Sequence, residues 1–317
     1  MDEKTALVLA LQLVALFSIA GALLLYLLCK IRASSTDLLD GSTPGAGKPV
    51  LVTSADTAIG LQIAIHLANR GFRVFAGLKD GASTGSAEDS ASSKVISAWQ
   101  KHRESVQGQG VLVALPLDVT REDLLHEAVD VIRAHLPAGE DGIWAVVNTS
   151  GLSYRGRLDQ QDNSHWDAML KTNVVGVLRT ARKLRPLLRN AGGRIITVGA
   201  TEQLGAGLVA YAASRFAVEG ASKALRQELA PVGIKVVTIN PQGIMPELLF
   251  SVPKLSSKQG QEDTTVEMTG CMNYQPVVLS SRALHILDVA LTSRKPKDNY
   301  SLEEKPWCKP FEILKIV

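Results

Sequence analysis

The stretch KPVLVTSADTAIGLQIAIHLANRGFRVFAGL, Lys48 to Leu78, decides the fold. VLVT, Val50 to Thr53, is a continuous apolar run of the kind that forms a strand buried on both faces. TSADTAIG, Thr53 to Gly60, then opens a segment in which Leu61, Ala64, Ile65 and Ala68 recur at helical spacing, until Gly71 stops the helix. RVFAGL, Arg73 to Leu78, begins the cycle again as a second apolar strand.

Working outward, the alternation persists. VLVALPL, WAVVN, GRIITV and IKVVTI are further strand candidates, each apolar on both faces and each separated from the next by a helical pattern. Runs buried on both faces and joined by helical crossovers imply a parallel sheet covered on two sides. The expected class is therefore α/β, a single doubly wound Rossmann-type parallel sheet, with any ligand at the carboxyl ends of its strands.

Composition narrows the function. The 317 residues are 46% hydrophobic and 21% charged, with 26 Gly and 13 Pro, which is ordinary for a globular chain. A length of this size fits about two domains or one large α/β domain. Three cysteines, Cys29, Cys271 and Cys308, cannot build a disulfide framework and show no CxxC spacing. A net charge of +3 without a basic cluster sets nucleic acid aside, and six histidines without HExxH spacing argue against a metal site.

The ends carry a different signal. TALVLALQLVALFSIAGALLLYLLC, Thr5 to Cys29, holds no charge and is long enough to span a bilayer, which takes about 20 apolar residues. A cleaved secretory signal would need a basic start and a shorter core, whereas this chain starts Asp2, Glu3, Lys4. Residues 1–32 are expected to be a retained transmembrane helix, with Lys30 and Arg32 behind it placing the bulk of the chain in the cytosol. Residues 33–47, small and polar, read as a tether, 48–301 as the folded domain and 302–317 as a tail. GASTG around Ser83 matches a hydrolase elbow in form but lies in a Ser/Gly run and reads as a surface loop, and Leu248 to Tyr274 reads as a mobile lid.

The later segments then arrive in a telling order: LPLDVT with Asp118 and Val119, GIWAVVNTSG with Asn148 and Gly151, LKTNVVGV with Asn173, YAASRFAVEG with Tyr211 and Arg215, INPQG with Pro241. This order resembles the short-chain dehydrogenase/reductase family, and most of all its membrane-associated retinol, hydroxysteroid and hydroxybutyrate dehydrogenase branch. The resemblance runs from Lys48 to about Ser301. It implies NAD or NADP as cofactor, held by Thr53, Ser54, Asp56, Ile59, Gly60, Asp118, Val119, Asn148, Gly151, Tyr211, Arg215 and Pro241. Where an acid would mark NAD stands Leu78, followed by Lys79, which would either meet a 2′-phosphate or be a surface lysine.

It also implies a catalytic set of Asn173, Tyr211 and Arg215, with Thr201 as a candidate for the hydroxyl that is missing at Ala200. The chemistry explains the types: a tyrosine hydroxyl exchanges a proton as hydride moves, and a cation one helical turn away lowers its pKa. The chain departs from the family pattern at Ser54 and Ala58, which replace turn glycines, and at Thr149 and Ser150, Ala200, Arg215 and Gln242. Losing one donor to a developing oxyanion costs roughly 10²–10³ in rate. Two readings follow: a membrane-anchored NAD(P)-dependent oxidoreductase for a lipophilic alcohol or ketone such as a steroid or retinoid, or a catalytically impaired relative acting as a membrane-bound binding or scaffold protein. A homo-oligomer is left open, and the endoplasmic reticulum is the location that the resemblance implies.

Overall fold

The computed structural model describes residues 12, 14–24, 45–79, 90–106, 110–200, 205–255 and 273–302. They belong to two compact units, Met1–Thr43 and Pro44–Val317. In the first unit residues 12 and 14–24 are helical. No helix among the described residues is long and apolar enough to cross a membrane. The rest of the segment expected to be an anchor, tether residues 33–44, Ser83, most of the expected lid and the tail 303–317 lie outside the described residues.

The second unit starts a little before Lys48. Gly45 N donates to the Arg70 carbonyl at 3.0 Å and Gly47 N to that of Gly71 at 2.9 Å, so residues 45–47 are fastened to the domain instead of hanging as tether. Strands β1 (Pro49–Val52), β2 (Arg73–Leu78) and β3 (Val111–Pro116) are linked by helices α1 (Ala58–Asn69) and α2 (Ala91–Val106). After α3 (Glu122–Ala134) come β4 (Ala145–Asn148), α4 (Asn163–Leu170), a π-helical turn (Lys171–Gly176) and α5 (Val177–Ala191). Then follow β5 (Arg194–Val198), α6 (Val209–Leu229), β6 (Lys235–Pro241), the short α7 (Pro246–Leu249), a small antiparallel pair β7 (Lys254–Leu255) and β8 (Tyr274–Gln275), α8 (Ser281–Thr292) and β9 (Asn299–Leu302).

The main sheet has seven strands in the order β3-β2-β1-β4-β5-β6-β9, all parallel. Val50 pairs with Val74 on one side and Ala145 on the other, so the order reverses between β1 and β4, the switch point at which a doubly wound sheet places its ligand cleft, at the carboxyl ends. Side chains alternate faces. Val50 and Val52 pack with Ile59, Ile63 and Leu67 of α1, whereas Leu51 joins Phe75, Val146 and Ile195 on the other face. Each such fully buried aliphatic side chain contributes about 1.5–3 kcal/mol, so the strand ends that carry the cleft are held rigidly. The expected doubly wound sheet is what forms. The edge strand NYSL was not foreseen: its first three residues are not buried, so it carries no continuous apolar run.

Candidate active site

The first turn of the cleft is built from hydroxyls. Thr57 caps α1, its Oγ1 accepting from Gly60 N at 3.2 Å and donating to the Ser54 carbonyl at 2.8 Å. Ser150 Oγ lies 2.7 Å from both Thr53 Oγ1 and Ser54 Oγ, and Thr149 N donates to Thr53 Oγ1 at 3.2 Å. The substitution of Ser54 for glycine thus has a local consequence: its side chain is tied to the end of β4. Gly60 retains its reason to be glycine, since a Cβ there would stand 1.8 Å from the Ser54 carbonyl oxygen. Ile59 is fully buried beside it.

On the flank, Asp118 Oδ1 accepts from Thr120 N and Thr120 Oγ1, each at 2.8 Å, closing the turn after β3. Val119 is buried and meets Gly176 in the π-helical turn, where a Cβ would approach Val119 Cγ2 to 2.6 Å. Lys79 Nζ leans on Asp118 Oδ2 at 3.6 Å and stays half-exposed at the rim. Asn148 ends β4 with both side-chain polar atoms buried and unpartnered among the described residues, and the Thr149 hydroxyl is likewise unpartnered. Asp56, in the first turn, is partly buried.

The second half of the cleft gathers around α6. Tyr211 and Arg215 lie one turn apart on its inward face, both fully buried. The Tyr211 hydroxyl has no directed hydrogen bond among the described residues. The Arg215 guanidinium lies 5.4 Å from the Tyr211 ring centroid and 4.6 Å from that of Phe250, and donates one bond, to the Val198 carbonyl at 3.2 Å. Its Nε and second terminal nitrogen are unpartnered among the described residues. Burial pulls this guanidinium below its ordinary pKa, and attraction to Tyr211 opposes that shift. Gly151 makes room for it, because a Cβ there would meet the guanidinium at 2.0 Å and the Phe250 ring at 2.5 Å.

Asn173 sits in the π-helical turn, fully buried. Its Oδ1 accepts from Leu152 N at 2.7 Å, and its Nδ2 donates to the Leu152 carbonyl at 3.0 Å and to Ser214 Oγ at 2.9 Å. Both ends of the amide are spent on holding the chain after Gly151 against α6, which makes Asn173 a positioning residue here. Ala200, at the end of β5, is buried and brings no hydroxyl to the site; its amide is held by Glu219 Oε1 at 3.0 Å, which also accepts from Asn240 at 2.8 Å. Thr201 lies outside the described residues. Pro241 ends β6, and Gln242 follows it, partly buried.

Sequence reasoning missed what covers this half. The Ser251 carbonyl accepts the Ala58 amide at 2.9 Å, at the very start of α1, and Phe250 lies over Arg215. The segment is pinned by Arg155, whose Nε donates to Glu247 Oε1 at 2.7 Å while a terminal nitrogen donates to the Ala206 carbonyl at 2.8 Å. No sequence signal announces Phe250, which lies in a stretch without periodicity. The donors fit a nicotinamide dinucleotide in their chemistry: a glycine that no Cβ could replace beside the helix start, and unpartnered buried polar atoms at Asn148, Thr149, Tyr211 and Arg215. Phe250 and Ser251 stand across part of the same cradle.

A family model described as short chain dehydrogenase matches residues 48–254. Mitochondrial D-beta-hydroxybutyrate dehydrogenase of Rattus norvegicus is 32% identical over 200 residues, 62% of this chain and 54% of that protein. Estradiol 17-beta-dehydrogenase 2 of Mus musculus is 35% identical over 234 residues, 72% of this chain and 54% of that protein. The chain thus spans about half the length of these curated relatives. Among solved structures, a short-chain dehydrogenase from Streptomyces avermitilis superposes with a TM-score of 0.58 at 21% identity, over 81% of this chain and 88% of that one, which speaks for the fold alone.

Proposed function

We propose, from the premise that this chain belongs to the short-chain dehydrogenase family, that it is an oxidoreductase using NAD or NADP on a lipophilic alcohol or ketone of the steroid or retinoid class. We also propose that its N-terminal segment holds it at a membrane as a single-pass protein, with the domain on the cytosolic side and the endoplasmic reticulum as its site. The observation that carries the enzymatic reading is the buried Tyr211 hydroxyl, free of any directed hydrogen bond among the described residues and one helical turn from a buried cation. A buried hydroxyl left unpaired costs about 1–3 kcal/mol, which a fold keeps where a ligand will pair with it.

The cofactor, when bound, supplies or accepts the hydride. Thr53, Gly60, Asp118, Asn148 and Gly151 would hold its adenosine and phosphate part, with Lys79 at the rim able to meet a 2′-phosphate. Tyr211 Oη passes the proton to the substrate oxygen during reduction and takes it back during oxidation. Arg215 stands beside that hydroxyl with its planar fork, which reaches differently from a compact ammonium. Asn173 keeps Leu152 and α6 in register beneath the substrate. The lipophilic class is supported by Leu158, Val209, Met245, Leu248 and Val252, exposed apolar side chains on the segments bordering the site.

A second reading, a catalytically impaired membrane-bound binding or scaffold protein, draws on Ala200 lacking a hydroxyl and on Phe250 covering Arg215. Membranes carrying the full chain, assayed with NADH and NADPH against steroid and retinoid ketones and aldehydes, separate the two. The enzyme reading expects turnover that Tyr211→Phe removes; turnover equal in both proteins would reject Tyr211 as the proton carrier, and none in either would favour the second reading.

A further inference from the structure

The edge of the sheet opposite the cleft carries an unbalanced set of cations. Lys48 precedes β1, Trp144 precedes β4, Arg194 opens β5 and Lys235 opens β6. The Trp144 ring lies 4.3 Å from the Lys48 ammonium and 4.4 Å from the Arg194 guanidinium. Arg194 is fully buried, donates to the Ala290 and Ser293 carbonyls at 3.0 and 3.1 Å, and leaves Nε and its other terminal nitrogen unpartnered among the described residues.

Immediately beyond Ser293 the chain forms one wall of a groove of about 350 Å³, lined by Arg226, Lys235, Arg294, Lys295 and Asp298 over an apolar floor that includes Ala230 and Pro296. Asp298 is the single acid among the lining residues, and Arg226 answers it: its Nε lies 3.6 Å from the carboxylate and donates to the Val236 carbonyl at 2.9 Å, while a terminal nitrogen donates to the Asp298 carbonyl at 2.7 Å. Lys235 is held against the Arg294 carbonyl at 2.7 Å, and Arg294 and Lys295 have no acid partner among the described residues. Partial burial and the nearby Arg194 both hold the Lys235 ammonium below its ordinary pKa, so an anion arriving here relieves an existing repulsion. Lys48 is held down in the same way by burial and by Arg194.

We propose that this groove is a phosphate-binding site, with Lys235, Arg294 and Lys295 meeting the oxygens of a phosphomonoester and the apolar floor meeting the carbon attached to it. Arginine's fork and lysine's compact charge together suit a dianionic phosphate. The ligand is the phosphate of an anionic lipid headgroup or a free phosphomonoester. The lipid source rests on the membrane-anchor reading, since the chain joins the domain at Gly45–Lys48, on the same edge; the phosphate chemistry does not.

The test uses the full chain in a non-ionic detergent, titrated calorimetrically with dihexanoyl phosphatidic acid, dihexanoyl phosphatidylcholine and inorganic phosphate. Binding of phosphatidic acid, weakened at least about tenfold by the exposed double substitution Arg294→Gln/Lys295→Gln, with none of phosphatidylcholine, supports the site and the lipid source. Inorganic phosphate binding as tightly as the lipid, and weakened by the same substitutions, supports the site and overturns the lipid source. Absence of binding, or binding that the double substitution and Lys235→Gln both leave unchanged, overturns the proposal. Cofactor titration of the same samples is read separately, so failure here leaves the oxidoreductase reading standing.

Discussion

The two halves of the strand-end cleft have been altered to different depths. Around β1 and β4 the departures from the family pattern are absorbed locally: Ser54 and Ser150 bind each other and Thr53, and Gly60 still fits its turn as no other residue could. Around α6 the departures change what the site presents. Arg215 is stacked beneath Phe250, Ala200 brings no hydroxyl, and Ser251 takes the first amide of α1. A turn tolerates small polar replacements because hydroxyls satisfy one another, whereas a proton-transfer centre depends on one atom at one place.

That contrast is broken most severely at Gly60. Gly60→Val forces a side chain into the Ser54 carbonyl and should cost about 3 kcal/mol, read as a lowered denaturant midpoint with cofactor binding lost. A stability within 0.5 kcal/mol, roughly that of an exposed surface change, would mean that this half of the cleft is softer than described.

Tyr211→Phe comes next. It should lower turnover by about 10²-fold or more while moving stability by no more than about 1 kcal/mol, because the hydroxyl removed makes no directed hydrogen bond among the described residues and is tied only by its attraction to Arg215. A marked loss of stability would show instead that the hydroxyl is a structural donor. Phe250→Ala sharpens the comparison from the other side. If the ring must leave before nicotinamide enters, cofactor should bind about five- to tenfold tighter, some 1–1.4 kcal/mol, at a modest cost in melting temperature. Weaker binding would mean that Phe250 belongs to the bound state.

The smallest effect is expected at Lys79, on the less altered half. The long 3.6 Å pair between the half-exposed Lys79 and Asp118 contributes at most about 1 kcal/mol, so Lys79→Gln should hardly move stability. It should lower affinity for NADP and spare NAD. Equal losses for both cofactors would assign Lys79 to the shared part of the dinucleotide, and no loss for either would leave it a surface residue.

Much of this was legible from residue order. The continuous apolar runs that became β1, β2, β4, β5 and β6 and the helix around Gly60 follow from periodicity, because burial on both faces leaves no other pattern, whereas β3 lies at the sheet edge with Val111 and Ala114 exposed, and so is not buried on both faces as expected. Tyr211, Arg215, Asn148 and Asn173 could be placed by spacing and resemblance, and the structure brings them to the strand ends. What it adds are contacts set by distant partners. Asn173 spends its amide on Leu152 and Ser214, and Lys79 rests on Asp118. Phe250, almost forty residues beyond Tyr211, covers Arg215 through a tertiary contact that no local period encodes. The basic groove was illegible for the same reason: Arg226 in the last turn of α6, Lys235 at the start of β6 and Arg294 just after α8 meet because helices end where the next strands begin.

The central claim is that the cleft still takes a nicotinamide dinucleotide despite its altered turn and covering segment. Titration of the detergent-solubilised full chain with NADH and NADPH, followed by nicotinamide fluorescence, tests it directly. Saturable binding of at least one of them below millimolar concentration, lost in Gly60→Val and retained in Tyr211→Phe, is the predicted result. No binding at millimolar cofactor by the folded protein, with Phe250→Ala failing to restore any, would contradict it.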